Sequence, residues 1–193
     1  MGLSLWLVPS PADSERLKRL MIPPTASSTL APSYPTFEPH ITLASLPPTV
    51  SSLDFILSSN LHVGAAIPLT CDGVEVGDHY FRSVYIAVGL SPVLRDLHSQ
   101  VHQKLGIPPK TPKFPHMSLC YISDGDAAAG ERDRFYQGLQ HTGKIRNEGS
   151  SVSLNCGGFG EDWLSTFYCQ EIWLVSCEGP VESWVVQQKI PLK

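Results

Sequence analysis

Apolar residues in this chain fall into runs of strand length, separated by stretches whose apolar positions recur every three or four residues. Residues 2–9 are apolar on both sides, which predicts a central, buried strand. Ser10 then offers an N-cap oxygen, Pro11 fits a first helical position, and Asp13 falls where the helix dipole favours an anion. Leu17, Leu20 and Met21 give that helix its stripe, and Pro23-Pro24 stops it before a Ser/Pro/Thr loop over residues 26–35. A second strand is predicted over residues 37–45, ended by Pro47-Pro48, and Leu53, Ile56 and Leu57 mark a short helix. Residues 68–76 and 80–89 read as strands joined around Gly77-Asp78. The next helix has Ser91 as its N-cap, Leu94, Leu97, Val101 and Leu105 as its face, and Gly106 as its C-cap. A strand over residues 111–122, a charged helix over 126–140 and strands over 152–156, 168–177 and 184–190 complete the pattern.

The pattern repeats. An apolar strand, a Ser-Pro helix start, an amphipathic helix, Ile-Pro-Pro and a loop lead to Pro39-His40-Ile41-Thr42-Leu43, and the same series leads to Pro115-His116-Met117-Ser118-Leu119. Self-similarity over half a chain points to a duplicated, pseudo-symmetric molecule. Strands alternate with helices, yet each half ends on adjacent strands. This predicts an α+β class, with two lobes of antiparallel or mixed sheet, helices outside and a cleft between them. The 193 residues suit one such unit built from both lobes.

Composition narrows the chemistry. A formal charge of −4 argues against sequence-independent binding to a nucleic-acid backbone, though not against a small phosphorylated ligand in a locally positive pocket. Five cysteines (Cys71, Cys120, Cys156, Cys169 and Cys177) are an odd number without CxxC spacing. They argue against zinc and for reduced thiols in an intracellular setting, with one disulfide as the alternative. No basic leader precedes the first apolar run, and no run approaches the ~20 residues of a membrane span, so neither a signal peptide nor a membrane partner is expected.

In a strand, residues i and i+2 share a face. His40 with Thr42, and His116 with Ser118, therefore offer two imidazoles that exchange protons near neutral pH and two hydroxyls that donate to phosphate oxygens. A lone His-x-Thr in a strand is common and uninformative. A duplicated fold repeats its Leu and Pro for packing, but packing gives no reason to repeat a His and a hydroxyl on one face. Two histidines on opposite sides of a phosphorus supply a base for water and an acid for the departing oxygen, with no metal ligand set required.

These paired His-x-hydroxyl motifs make the chain resemble the two-histidine phosphoesterases, and its flanks resemble the plant and fungal cyclic phosphodiesterases among them. The resemblance spans nearly the whole chain, from Ser4-Leu5-Trp6-Leu7-Val8-Pro9 through both motifs to Ile172-Trp173-Leu174-Val175-Ser176 and Gly179-Pro180-Val181. It implies that His40 and His116 are catalytic, that Thr42 and Ser118 grip phosphate, and that Tyr121, Trp6 and Phe81 contact substrate. It implies no cofactor, and a small cyclic-phosphate nucleotide as the substrate of a monomeric enzyme. It also implies opening of nucleoside 2′,3′-cyclic phosphates to 2′-phosphates and of ADP-ribose 1″,2″-cyclic phosphate, a by-product of tRNA splicing. Cys120 stands where relatives carry an aliphatic residue. A cytoplasmic location is expected, with the Golgi as the alternative that fungal members suggest. An RNA end-processing or 2′,5′-ligase-type enzyme and a non-catalytic nucleotide-binding module are the competing readings.

Other residues read as structural. His98 and His102 have the i, i+4 spacing of a metal pair but no third ligand, so a solvated helix face is expected. His62, His79 and His141 read as bystanders, and Arg132 and Arg134 as surface ion pairs worth under ~1 kcal/mol each. Gly157-Gly158-Phe159-Gly160 lacks the Lys-Ser/Thr of a phosphate loop and reads as a turn, with a flap carrying Phe159 or Trp163 as the alternative. Trp173 and Trp184 are expected in the core.

Overall fold

The computed structural model describes residues 2–23, 32–46, 64–158 and 160–193. Pro47-Pro48, the helix marked by Leu53, Ile56 and Leu57, His62, Phe159 and residues 26–31 of the first loop lie outside them.

Strand β1 (Leu3–Pro9) leads into helix α1 (Pro11–Lys18), capped by Ser10, whose hydroxyl accepts from the Asp13 amide. β2 is Ile41–Ser45, and β3 (Ile67–His79) and β4 (Arg82–Val88) form a hairpin. Helix α2 (Pro92–Leu105) starts at Ser91 and ends at Gly106, whose φ of 63° closes the helix in a left-handed turn. β5 (His116–Cys120) follows, then α3 (Asp124–Ala128) and α4 (Glu131–His141). β6 (Ile145–Glu148), β7 (Ser151–Asn155), β8 (Trp163–Leu164), β9 (Thr166–Ser176) and β10 (Val185–Pro191) complete the chain.

The class is α+β, as the sequence predicts, and every strand pairing is antiparallel. A seven-stranded sheet runs β1-β2-β5-β4-β3-β9-β10, with β9 also paired to β1. The long β9 belongs to both halves. Its residues 166–169 pair with β3, and its residues 169–176 pair with β1. A three-stranded sheet, β6-β7-β8, packs against β3. One hydrophobic cluster, from Leu5 to Leu192, runs through both halves, with Leu17, Leu94, Leu97 and Phe135 docking the helices on it. Each such side chain gains roughly 1.5–3 kcal/mol on leaving water.

The two motif strands meet through a single bridging pair, Ile41 with Met117. These residues hold the same position in the two sequence copies, so the local two-fold axis passes between them. Both are fully buried, which turns the intervening positions of each strand to the opposite face.

Several elements depart from expectation for identifiable reasons. β2 starts at Ile41 rather than Phe37, because Pro39 has no amide to pair and the Glu38 carbonyl is used by His40. Gly77-Asp78 is a bulge, not the hairpin turn, which lies at Tyr80-Phe81. A side-chain carbon on Gly77 would sit 2.0 Å from the Arg82 carbonyl oxygen, so the glycine permits the bulge itself. The charged helix is two helices, split at Gly130 with its φ of 85°. The short edge strands β6 and β8 carry too little alternation to be read from sequence.

His98 and His102 are buried, not solvated. His98 stacks on Phe114 with ring centroids 4.0 Å apart, and its Nε2 lies 3.0 Å from the Thr111 hydroxyl. His102 Nδ1 donates to the His98 carbonyl over 2.8 Å. Burial, with the charge of His102, lowers His98 to about 4. Arg132 pairs with exposed Asp124 at 3.6 Å, but its own side chain is largely buried and also reaches the Ser83 hydroxyl at 3.3 Å and the Gly77 carbonyl at 3.4 Å, while Arg134 pairs with Glu131 at 2.7 Å. All five thiols are free and buried.

The bridging pair supplies a stability test. Ile41→Ala is expected to lower the unfolding free energy by about 2–5 kcal/mol in urea melts. A loss under about 1 kcal/mol would show that the motif strands are held together elsewhere.

Candidate active site

His40 directly precedes β2 and His116 opens β5, so each begins a strand at the shared bridge. An antiparallel register through Ile41 and Met117 sets His40 level with Ser118 and Thr42 level with His116. All four line one cleft of about 450 Å³, together with Trp6, Phe81 and Tyr121. The seven predicted site residues therefore share one surface.

The histidines are fixed alike. His40 Nδ1 lies 2.7 Å from the Glu38 carbonyl oxygen, and His116 Nδ1 lies 3.0 Å from that of Lys113. A carbonyl only accepts, so the neutral form of each ring carries its proton on Nδ1 and leaves Nε2 for a ligand. Their surroundings differ. Trp6 stacks flat on His40, with centroids 3.7 Å apart and planes 9° from parallel. The indole is held by its N–H, which donates to Ser4 Oγ at 3.0 Å, and Ser4 in turn donates to the Ala44 carbonyl. His116 instead meets Tyr85 edge to face, at 5.4 Å and 72°. Trp6 stands opposite Thr42 in its strand pair, and Tyr85 opposite Ser118 in its own. The two rings are thus counterparts, and Tyr85, which sequence reading missed, supports His116 from outside the cleft lining.

Burial lowers His40 to about 4, against the Glu38 carbonyl, which favours a proton there; the charge of His116 lowers it further. Burial also lowers His116, opposed by the Lys113 carbonyl and aided by the nearby Arg82 cation. Tyr121 is buried, and its phenol is pushed far above its ordinary range by desolvation. Its ring stacks on Phe37 at 4.0 Å and meets the Phe81 edge at 5.3 Å. Of the two hydroxyls, Ser118 donates to the Phe81 carbonyl over 2.8 Å.

The structure adds residues that sequence reading assigned elsewhere. Trp184, expected in the core, lines the cleft between Trp6 at 5.7 Å and Phe81 at 5.8 Å, and its buried indole nitrogen has no partner. His79, read as a bystander, lines the cleft as well, as do Arg82 and Lys110. Their signal was adjacency: His79 and Arg82 flank Phe81 across a two-residue turn. Among the described lining residues no carboxylate occurs, and Arg82 and Lys110 carry the fixed charge. The cleft is locally positive on a chain of net charge −4. Trp163 is elsewhere, with the Arg146 guanidinium 3.6 Å above its ring, and Gly157 lies in a tight turn whose missing side chain leaves room for the Gly160 carbonyl. No group of three or more metal-ligating side chains occurs among the described residues, and no described helix is long and apolar enough to cross a membrane.

Residues 1–192 match the model of the cyclic phosphodiesterase-like protein family. The chain belongs to that family. It is 25% identical to a 2′,3′-cyclic-nucleotide 3′-phosphodiesterase of Yarrowia lipolytica, over 96% of this chain and 97% of the relative. A protein of the same name from Kluyveromyces lactis is 26% identical over 98% of each chain. Among solved structures, Escherichia coli LigT complexed with phosphate superposes with a TM-score of 0.53 at 13% identity, covering 100% of this chain and 97% of that one. That likeness concerns the fold alone, which this family member shares with LigT.

The tautomers are directly measurable. Nitrogen-detected NMR of the ring nitrogens at pH 7 is expected to show both His40 and His116 protonated on Nδ1. An Nε2-protonated signal at either would mean that its backbone carbonyl does not orient it.

Proposed function

We propose that the chain is a cyclic phosphodiesterase that hydrolyses ribose cyclic phosphates without a metal ion. One observation carries this reading: two symmetry-related His-hydroxyl pairs face a single carboxylate-free cleft, each imidazole pinned through Nδ1 with Nε2 free. The phosphate sits on the local two-fold axis, gripped by Thr42 and Ser118. Ser118 turns from the Phe81 carbonyl to a phosphate oxygen, exchanging one acceptor for a charged one. The ribose and base lie along Trp6, Phe81, Tyr121 and Trp184.

His116 Nε2 takes a proton from water as the new P–O bond forms. His40 donates its Nε2 proton to the ribose 3′ oxygen as the old P–O bond breaks, leaving a 2′-phosphate. Specific contacts favour this division of labour. Burial, aided by the Arg82 cation, keeps His116 neutral, as a base must be, and the Trp6 face favours an imidazolium at His40. Burial opposes charge on His40, but a bound phosphate anion within contact distance reverses that penalty. The substrate is a small nucleotide 2′,3′-cyclic phosphate, and the resemblance extends the reading to ADP-ribose 1″,2″-cyclic phosphate from tRNA splicing. The working form is a monomer.

With EDTA present, His40→Ala and His116→Ala are each expected to lower turnover of nucleoside 2′,3′-cyclic phosphates by about 10²–10⁴-fold while leaving the melting transition in place. Activity retained in the double variant, or lost from the unmodified protein in EDTA, would overturn the reading.

The pH profile has a defined sign. Lowered histidines lose their protons below the ordinary value of 6.5, so the acid form in the free cleft disappears as pH rises through that lowered range. The alkaline limb of kcat/KM is therefore expected below pH 6.5, with the matching limb of kcat at higher pH because bound phosphate favours the imidazolium. Coincident limbs would show that phosphate does not touch the acid.

A further inference from the structure

Among the described residues, two of the four buried side-chain nitrogens without a partner belong to residues lining the cleft: Trp184 Nε1 and Arg82 Nε. A buried, unsatisfied N–H costs about 1–3 kcal/mol, and more on a charged group, so such an atom in a ligand cleft needs a ligand acceptor. The geometry points to Arg82 as a third phosphate-gripping residue, placing its guanidinium on the phosphoryl oxygens beside His116. This rests on the phosphodiesterase reading above and deepens it.

The charge distribution of that reaction gives such a group a task. A cyclic phosphodiester carries one negative charge, and adding hydroxide brings a second until the leaving oxygen takes its proton. The two imidazoles match that charge, but they stand at the entering and leaving oxygens, where they exchange protons. A fixed cation at the remaining phosphoryl oxygens, where the charge collects, stabilises it without entering the proton transfers. Lys110 is exposed on a flexible stem, whereas the Arg82 side chain is only 15% exposed. Its planar fork presents parallel N–H groups to two phosphate oxygens, as an ammonium does not.

Arg82 is also held in place. One terminal nitrogen donates to Asp78 over 2.8 Å, and the guanidinium lies 6.0 Å from the Tyr85 ring. Asp78 is 89% exposed, so this tether is screened by water and orients the fork without neutralising it for a ligand. Behind Arg82, the fully buried Ser83 hydroxyl donates to the Tyr80 carbonyl at 3.0 Å and accepts from the Ile122 amide at 2.9 Å and from Arg132. Arg132 also holds the Gly77 carbonyl of the bulge. The hairpin end that carries Phe81 and Arg82 is fixed before any ligand arrives.

Calorimetric titration with adenosine 2′-monophosphate and with adenosine, on the unmodified protein, Arg82→Gln and Arg82→Lys, tests this. Arg82→Gln is expected to weaken the monophosphate by about tenfold or more while leaving adenosine binding and the melting temperature unchanged. Arg82→Lys is expected to recover part of that loss, since it keeps the charge without the fork. Normal monophosphate binding by Arg82→Gln, or an equal loss for adenosine, would overturn the role of Arg82 alone. Failure of the unmodified protein to hydrolyse cyclic nucleotides would instead overturn the functional reading beneath it.

Discussion

The cleft depends on one contact. Ile41 and Met117 bridge the two motif strands, and because they are the same residue position in both copies, they place the two-fold axis at the centre of the site. Burying these two side chains turns His40, Thr42, His116 and Ser118 to the other face together, since successive strand residues alternate sides. A slip of one residue would send the imidazoles into the core and the apolar pair into the cleft. The hydrophobic effect, acting on Ile41 and Met117, thus sets the register that aligns the polar chemistry. The shared strand β9, paired with β1 along one part and with β3 along another, keeps the halves from opening about that single bridge.

A symmetric frame would give two identical histidines, and acid–base chemistry needs two unlike ones. The difference comes from the strands outside the motifs. On one side Trp6 lies flat on its histidine, fixed through Ser4 to the carbonyl of Ala44. On the other, Tyr85 stands edge to face with its histidine, its phenol bonded to Glu75 and raised to about 12, chiefly by burial. Arg82 adds positive charge on the same side. The repeated motifs place the two histidines alike, and their unlike neighbours give them different surroundings.

The same division explains what was legible in the sequence. The motif pair, its flanking helices with Ser10, Ser91 and Gly106 as caps, and the α+β class all follow from local patterns, because caps and strand alternation are local physics. The cleft's electrostatics were not legible. Arg82 and His79 enter it through a bulge and a two-residue turn that Gly77 disguised as the turn itself, and Trp184 enters from the segment between β9 and β10. His98 and His102 were misread for a related reason: the burial of a helix face depends on the Thr111–Phe114 segment that folds over it, which no periodicity reports. Arg132 likewise looks like a surface residue until Ser83 and the Gly77 carbonyl are placed beside it.

Ser118 shows how the proposed site is prepared. Its hydroxyl is spent on the Phe81 carbonyl, so in the proposed reaction a phosphate takes it from the hairpin turn. Were that bond the turn's chief support, phosphate binding would loosen Phe81 and Arg82 just when both are needed. It is not: the turn is independently tied by Ser83 to the Tyr80 carbonyl and the Ile122 amide, and the bulge below it by Arg132. Releasing Ser118 therefore exchanges one hydrogen bond for a stronger, charge-assisted one without reordering the loop. With the hairpin tied in this way, the proposed phosphate binding asks for the turn of one hydroxyl, which is what a preorganised electrostatic site requires.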